Sequence, residues 1–143
     1  MYYVNIDQIE KRLDFSQHVG TVARRLAENA ADPDPVLALS RERVLQLAIE
    51  LVTDVGSYLI DGFMMRDAGS YEDIVEVLQG EEVLDDRLAE ALVNLVKWRK
   101  PLMQQYMDLP QEQLSGLIPP LGEQLQAFAE QVRQFLQRNK DLL

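Results

Sequence analysis

Apolar positions along this chain recur every three to four residues, and no stretch alternates apolar with polar in the two-residue period of a strand. The pattern predicts five helices. The first spans about Asp7 to Asn29, with Asp7 as N-cap and Glu10 three residues on, in capping-box register. Phe15, Val19, Val22 and Leu26 make its apolar stripe, and Ser16, Gly20, Ala23 and Ala27 make a ridge of small residues beside it, where another helix can come close. The prolines of Asp32-Pro33-Asp34-Pro35 end it. The second spans about Val36 to Asp61, behind Pro35, which suits a first-turn position. Val44, Leu45, Ala48, Leu51, Val52, Val55 and Leu59 form a wide apolar face, widened by Leu47, Ile49 and Ile60, so this helix reads as the most buried. Glu50, Asp54 and Asp61 form an acidic stripe on it, and Gly62 reads as its terminator.

A short third helix runs from Tyr71 to Gln79, with Ser70 and Asp73 as a variant capping box and Gly80 at its end. The fourth starts near Asp85-Asp86 and runs toward Tyr106 with Pro101 inside it. The fifth is in two parts: Pro110 opens a turn of helix, Pro119-Pro120 reset it, and the chain continues to about Lys140. Its residues Leu114, Leu117, Leu121, Leu125, Phe128, Val132 and Phe135 step by three or four, as a bundle seam does. Short links between long amphipathic helices imply an all-α fold, an antiparallel up-and-down bundle of four to five helices in a single domain over residues 1–143.

Composition narrows the function classes. A chain of 143 residues buries roughly 68–70% of its unfolded surface and needs neither metal nor disulfide for a core. There is no cysteine, which excludes thiolate chemistry. The opening MYYVNIDQIEKR lacks the apolar run of a signal peptide. The most apolar stretch, Val44 to Ile60, is broken by Gln46, Glu50, Thr53, Asp54 and Ser57, so it reads as a core helix. These features point to a cytoplasmic protein without membrane association. The net charge is −10, and the basic residues are scattered. Duplex DNA binding is disfavoured, because phosphate contacts by clustered Lys and Arg supply most of its affinity. A local basic pocket for a short RNA or a nucleotide stays open.

One segment stands out. On a continuous helix Leu88, Leu92, Leu95, Arg99, Leu102, Met103 and Tyr106 share a face, which sets an arginine inside an apolar stripe. A buried guanidinium needs partners, and the acidic stripe of the second helix supplies them, so Arg99 is expected to pair with Glu50 or Asp54. Pro101 withholds a hydrogen bond from the Lys97 carbonyl and kinks the helix beside this charge. From these features alone a structural ion pair at a proline kink is the simpler reading, ahead of a functional site.

Here a resemblance appears. The stretch Asp85 to Asp108, DDRLAEALVNLVKWRKPLMQQYMD, resembles the signature region of HepT-like proteins, a branch of the HEPN superfamily. That signature is an Arg, usually followed by Asn, a His five places after the Arg, and a Tyr two places after the His. Arg99 and Tyr106 match, Lys100 stands where Asn is usual, and Gln104 stands where the His belongs. MYYVNIDQIEKRL, the helix with Glu50 and Asp54, and the Gly69-Ser70-Tyr71 loop also fit. The combination of LVKWRKPLMQQY with DGFMMRDAGSYEDI is most like the YutE-type subgroup of bacilli. The resemblance implies a helical homodimer in which the signature residues of both subunits meet in a cleft. It implies metal-independent endoribonuclease activity in active members, with no cofactor. It further implies a toxin–antitoxin pairing with an MntA-type nucleotidyltransferase, which attaches AMP to the signature Tyr, here Tyr106.

Gln104 alters that expectation. Metal-independent RNA cleavage needs a group that takes the 2′-hydroxyl proton, and histidine suits this because it titrates near neutrality. Glutamine orients by hydrogen bonding but accepts no proton, and losing such a group costs about 10²–10⁴ in rate. Arg99 still offers electrostatic stabilisation of a phosphorane. Three functions therefore stand side by side: a HepT-like partner of a nucleotidyltransferase with impaired cleavage, an atypical but active endoribonuclease toxin, and a non-catalytic helical dimer. The lone histidine, His18, reads as surface on the first helix. Glu81-Glu82 with Asp85-Asp86 read as helix N-terminal charge rather than a metal site. Trp98 suits core or dimer packing, or stacking on a base. Phe63-Met64-Met65 suits either core or a partner contact.

Overall fold

The computed structural model describes all 143 residues. Seven α-helices follow one another: α1 (Ile6–Ala27), α2 (Pro35–Gly62), α3 (Tyr71–Gly80), α4 (Asp86–Val96), α5 (Arg99–Gln104), α6 (Gln111–Leu117) and α7 (Leu121–Arg138), with a 3₁₀ turn at Lys140–Leu142. The all-α expectation holds. Seven helices stand where five were expected: the two parts of the fifth separate at Pro119-Pro120, as its prolines suggest, and the fourth also divides, at Lys97-Trp98.

Helices α1, α2 and α7 make the main layer. Arg12, early in α1, reaches Asp54, late in α2, at 3.2 Å. Arg133, late in α7, reaches Glu10 in α1 at 2.9 Å. Both pairs place neighbouring helices antiparallel. The small-residue ridge does what its composition suggests: a Cβ built on Gly20 would lie 3.8 Å from the Gly122 carbonyl oxygen, so the α1 and α7 backbones cross closely there. The buried stripe of α1 is Ile9, Leu13, Val19, Ala23 and Leu26, whereas Phe15 is 43% exposed. Phe15 sits one position off the packed face, where it lies beside His18.

Caps explain most helix ends. Asn5, not Asp7, caps α1, accepting from the Gln8 N–H. Asp34 caps α2 ahead of Pro35, and Ser70 caps α3 as its sequence position suggests. Gly62 is still helical, and the left-handed conformation falls to Met64, at φ 55°. Gly62 is instead required by packing, since a Cβ there would come within 3.0 Å of the Val4 backbone. The core is one contiguous cluster centred on α2, with Leu45, Val52, Val55 and Leu59 wholly buried. Each such side chain contributes about 1.5–3 kcal/mol. Phe63 joins that core, edge-on to Phe135 with centroids 5.1 Å apart, while Met64 projects at 81% exposure. No helix is long and apolar enough to cross a membrane.

Candidate functional site

The site is built on the break between α4 and α5. Pro101 has no N–H for the Lys97 carbonyl, and the chain adapts just upstream. Trp98 N–H bonds to the Leu95 carbonyl, a tightened three-residue turn, before Leu102 N–H resumes on the Trp98 carbonyl. The side chain of Trp98 packs against the core. Leu88, Leu92 and Leu95 anchor α4, and Leu102 anchors α5. The apolar stripe does not continue as expected: α5 ends at Gln104, so Tyr106 lies in a turn rather than on a helix face.

Arg99 opens α5. Its Nε donates to Glu50 Oε1 of α2 at 3.2 Å, and its Cζ lies 3.7 Å from the centroid of the Tyr71 ring. The guanidinium is therefore held on two sides, by an ion pair and by a cation–π contact. Its side chain is 23% exposed, so it is half-buried rather than sealed in a core. Both terminal nitrogens lack a protein acceptor and remain available to an incoming anion. Asp54, the alternative partner, faces Arg12 instead.

Tyr71 owes its position to a stapled loop. Ser70 caps α3 by accepting from the Asp73 N–H at 3.0 Å. The Asp73 carboxylate accepts two bonds from Arg66, each 2.8 Å, and a third from the Gly69 N–H. Those bonds, the Arg66 one foremost, hold the Asp73 carboxyl well below the usual carboxylate range. The same pairing raises the Arg66 guanidinium further above its ordinary value. This fixes the first turn of α3 and with it the tyrosine that backs Arg99. Sequence spacing alone does not reveal this contact, although the cap at Ser70 does predict a rigid start to the helix that carries Tyr71.

The remaining candidates lie outside this triad. Lys100, Gln104 and Tyr106 are exposed and make no side-chain hydrogen bond, and Tyr106 keeps 63% of its surface. Met103, four residues after Arg99 on α5, and Met107 are exposed alongside them. The structure thus joins Arg99, Glu50 and Tyr71, and leaves Gln104 and Tyr106 on the neighbouring surface. His18 is exposed on α1 with its ring near Phe15. Asp85 caps α4 and accepts from Gln131, and Asp86 accepts from Gln79, as helix-start carboxylates do.

A family model described as "Ribonuclease HepT-like" matches residues 5–132. The chain belongs to the HepT-like family. A curated HepT-like relative, YutE of Bacillus subtilis (strain 168), described as a candidate RNase, is 36% identical over 138 residues, which cover 96% of this chain and 93% of YutE. The solved structure of YutE, described as a cytosolic protein of unknown function, superposes with a TM-score of 0.83 at 33% identity, covering 97% of this chain and 95% of that one. Two more distant structures, each 15% identical, share the fold. One is from a toxin–antitoxin complex with AMP-PNP (TM-score 0.80, 90% of this chain and 98% of that one). The other is a tri-AMPylated HEPN toxin of Shewanella oneidensis in complex with its MNT antitoxin (TM-score 0.78, 88% and 96%).

Proposed function

We propose that this chain is the HepT-like member of a toxin–antitoxin pair, a cytoplasmic homodimer partnered by a small MntA-type nucleotidyltransferase. In this reading Tyr106 is the hydroxyl that receives AMP, and Arg99 orders a cleft that meets RNA phosphate. The observation that carries the reading is the separation of roles at α5. Arg99 is locked by Glu50 and Tyr71, while Tyr106 stands seven residues on with its ring exposed and its hydroxyl free of any protein partner. A transferase acting on a folded protein needs such an accessible hydroxyl. The fold is shared with a toxin described as tri-AMPylated and bound to its antitoxin, which supports the same partnership here. The exposed Tyr71 against Arg99, with the exposed Met103 and Met107 in and after α5, supplies apolar surface for a second copy.

Gln104 limits the chemistry. It contributes hydrogen bonding in the cleft but no proton transfer, so cleavage by this chain is slow, by about 10²–10⁴ relative to a histidine-bearing site. Intact-mass measurement after co-expression with an MntA-type nucleotidyltransferase tests the proposal. Adenylyl adducts on the wild type that vanish in Tyr106→Phe are the expected result. An unchanged mass in the presence of an active transferase would overturn it.

A further inference from the structure

The acidic stripe of α2 is only partly used by arginines. Glu50 takes Arg99 and Asp54 takes Arg12, whereas Asp61 has no ion pair. An exposed acid is ordinary by itself, but this one borders a cavity of about 430 Å³ between the end of α2 and the start of α3. Ile60 and Ile74 give that cavity apolar wall, and Ser57 and Ser70 add hydroxyls. Tyr71 lines it too, with the same ring that carries Arg99 at 3.7 Å. The cavity and the guanidinium with its two free terminal nitrogens therefore meet at one side chain. An apolar cleft edged by an aromatic ring and a few polar groups suits a planar heterocycle, and the adjoining guanidinium suits a phosphate.

Spacing and charge narrow the occupant. Glu50, which holds Arg99, and Asp61 lie eleven residues apart on α2, about 16.5 Å along its axis. One extended nucleotide covers that length once the hydrogen bonds at its phosphate and at its base edge are included. A carboxylate only accepts hydrogen bonds. Guanine alone among the four RNA bases presents two adjacent donors on its Watson–Crick edge, N1–H and the N2 amino group, and these match the two oxygens of one carboxylate. Adenine, cytosine and uracil each turn at least one acceptor toward it, which repels. An acid beside a phosphate site thus lowers affinity for every base except the one it pairs with, which is how a site selects. We infer that this cavity receives the guanine base of a single-stranded RNA nucleotide whose phosphate lies on Arg99, with the Asp61 carboxylate accepting from N1–H and N2–H. The inference rests on the RNA-facing cleft proposed above and adds a base preference to it.

Fluorescence anisotropy on the full chain at low salt tests the inference. The probes are labelled uridine pentanucleotides carrying guanosine, inosine or adenosine at the centre, with GMP as an unlabelled competitor. The guanosine pentamer is expected to bind about tenfold tighter than the adenosine one, with inosine, which lacks the N2 amino group, between them. Asp61→Asn should erase that preference, and because Asp61 is exposed and unpaired the variant should keep the wild-type Tm. Arg99→Ala should weaken all three pentamers together and leave the preference in place. Equal binding of the three pentamers, weakened by Arg99→Ala, overturns the guanine pocket while the RNA-facing cleft stands. Binding that Arg99→Ala does not change, or no binding of any pentamer, overturns the cleft and the pocket with it. A preference that survives Asp61→Asn overturns the assignment to Asp61. GMP competing as tightly as the guanosine pentamer makes the free nucleotide the ligand and overturns the assignment to RNA.

Discussion

Removing the Tyr71 ring should loosen Arg99 by an amount the geometry sets. The guanidinium carbon lies 3.7 Å from the ring centroid, and the arginine side chain keeps 23% of its exposure. A cation–π pair is worth about 0.5–1 kcal/mol when exposed and about 2 when desolvated, so this half-buried one is expected near 1 kcal/mol. The Glu50 contact, at 3.2 Å with the carboxylate 44% exposed, falls in the range of about 0–1 kcal/mol for solvated pairs. Both contacts share one guanidinium, so single substitutions do not separate them and a double-mutant cycle is required. Urea unfolding of Tyr71→Ala, Arg99→Ala and the double variant should yield a coupling of about 1 kcal/mol, or about 3 °C in Tm for a domain of this size. Tyr71→Phe keeps the ring face and should keep most of that coupling. A parallel cycle with Glu50→Gln should shrink in high salt, while the aromatic cycle changes little. An aromatic coupling below about 0.3 kcal/mol, within the range of independent sites, or a Phe variant as weak as Ala would refute the claim that Tyr71 holds Arg99.

Three further outcomes follow from other contacts. Asp73 has a folded-state pKa below its ordinary value, so its contribution is complete above the unfolded value of about 4 and is lost as pH falls from there toward the folded one. Asp73→Asn should therefore lower stability at neutral pH, with the deficit closing below about pH 4 in urea titrations at several pH values. Glycine substitutions should split by position. A Cβ on Gly56 would overlap Ile74 Cγ2, so Gly56→Ala should cost about 1–3 kcal/mol. Gly20→Ala meets only ordinary contacts and should gain about 0.5–1 kcal/mol of helix propensity, both read from thermal denaturation. Gln104→His should raise cleavage of a labelled single-stranded RNA by about 10²-fold or more if acid–base chemistry is the missing part, and adding Arg99→Ala should remove the gain. No gain in the single variant would place the deficit elsewhere in the cleft.

What was legible in the sequence follows from how far each interaction reaches along the chain. The α7 seam and the α2 core face are repeated local spacings, and those two helices were legible from them. The Arg99–Glu50 pair was also legible, because a charge inside an apolar stripe demands an acid and α2 carries a row of them. The α4–α5 break was only half legible. Pro101 announced it, but its placement at Lys97-Trp98 depends on the Trp98 N–H turning back to Leu95, which no residue type specifies. Tyr71 was missed because its partner lies 28 positions away and the contact exists only once the Arg66–Asp73 staple sets the start of α3. The burial of Arg41, 2% exposed with its Nη2 donating to the Asp32 carbonyl, was missed for a different reason. It precedes Val44 and Leu45 by three and four residues, which is core-facing spacing, yet arginine in a helix is ordinarily read as solvated because its long stem can carry the charge to water. Here α6 and the α1–α2 loop close over it. The spacing agrees with the burial, and the residue type argues against it. When the two conflict at one position, the partner that the charge finds is what to look for: Glu50 and Tyr71 at Arg99, and the Asp32 carbonyl at Arg41.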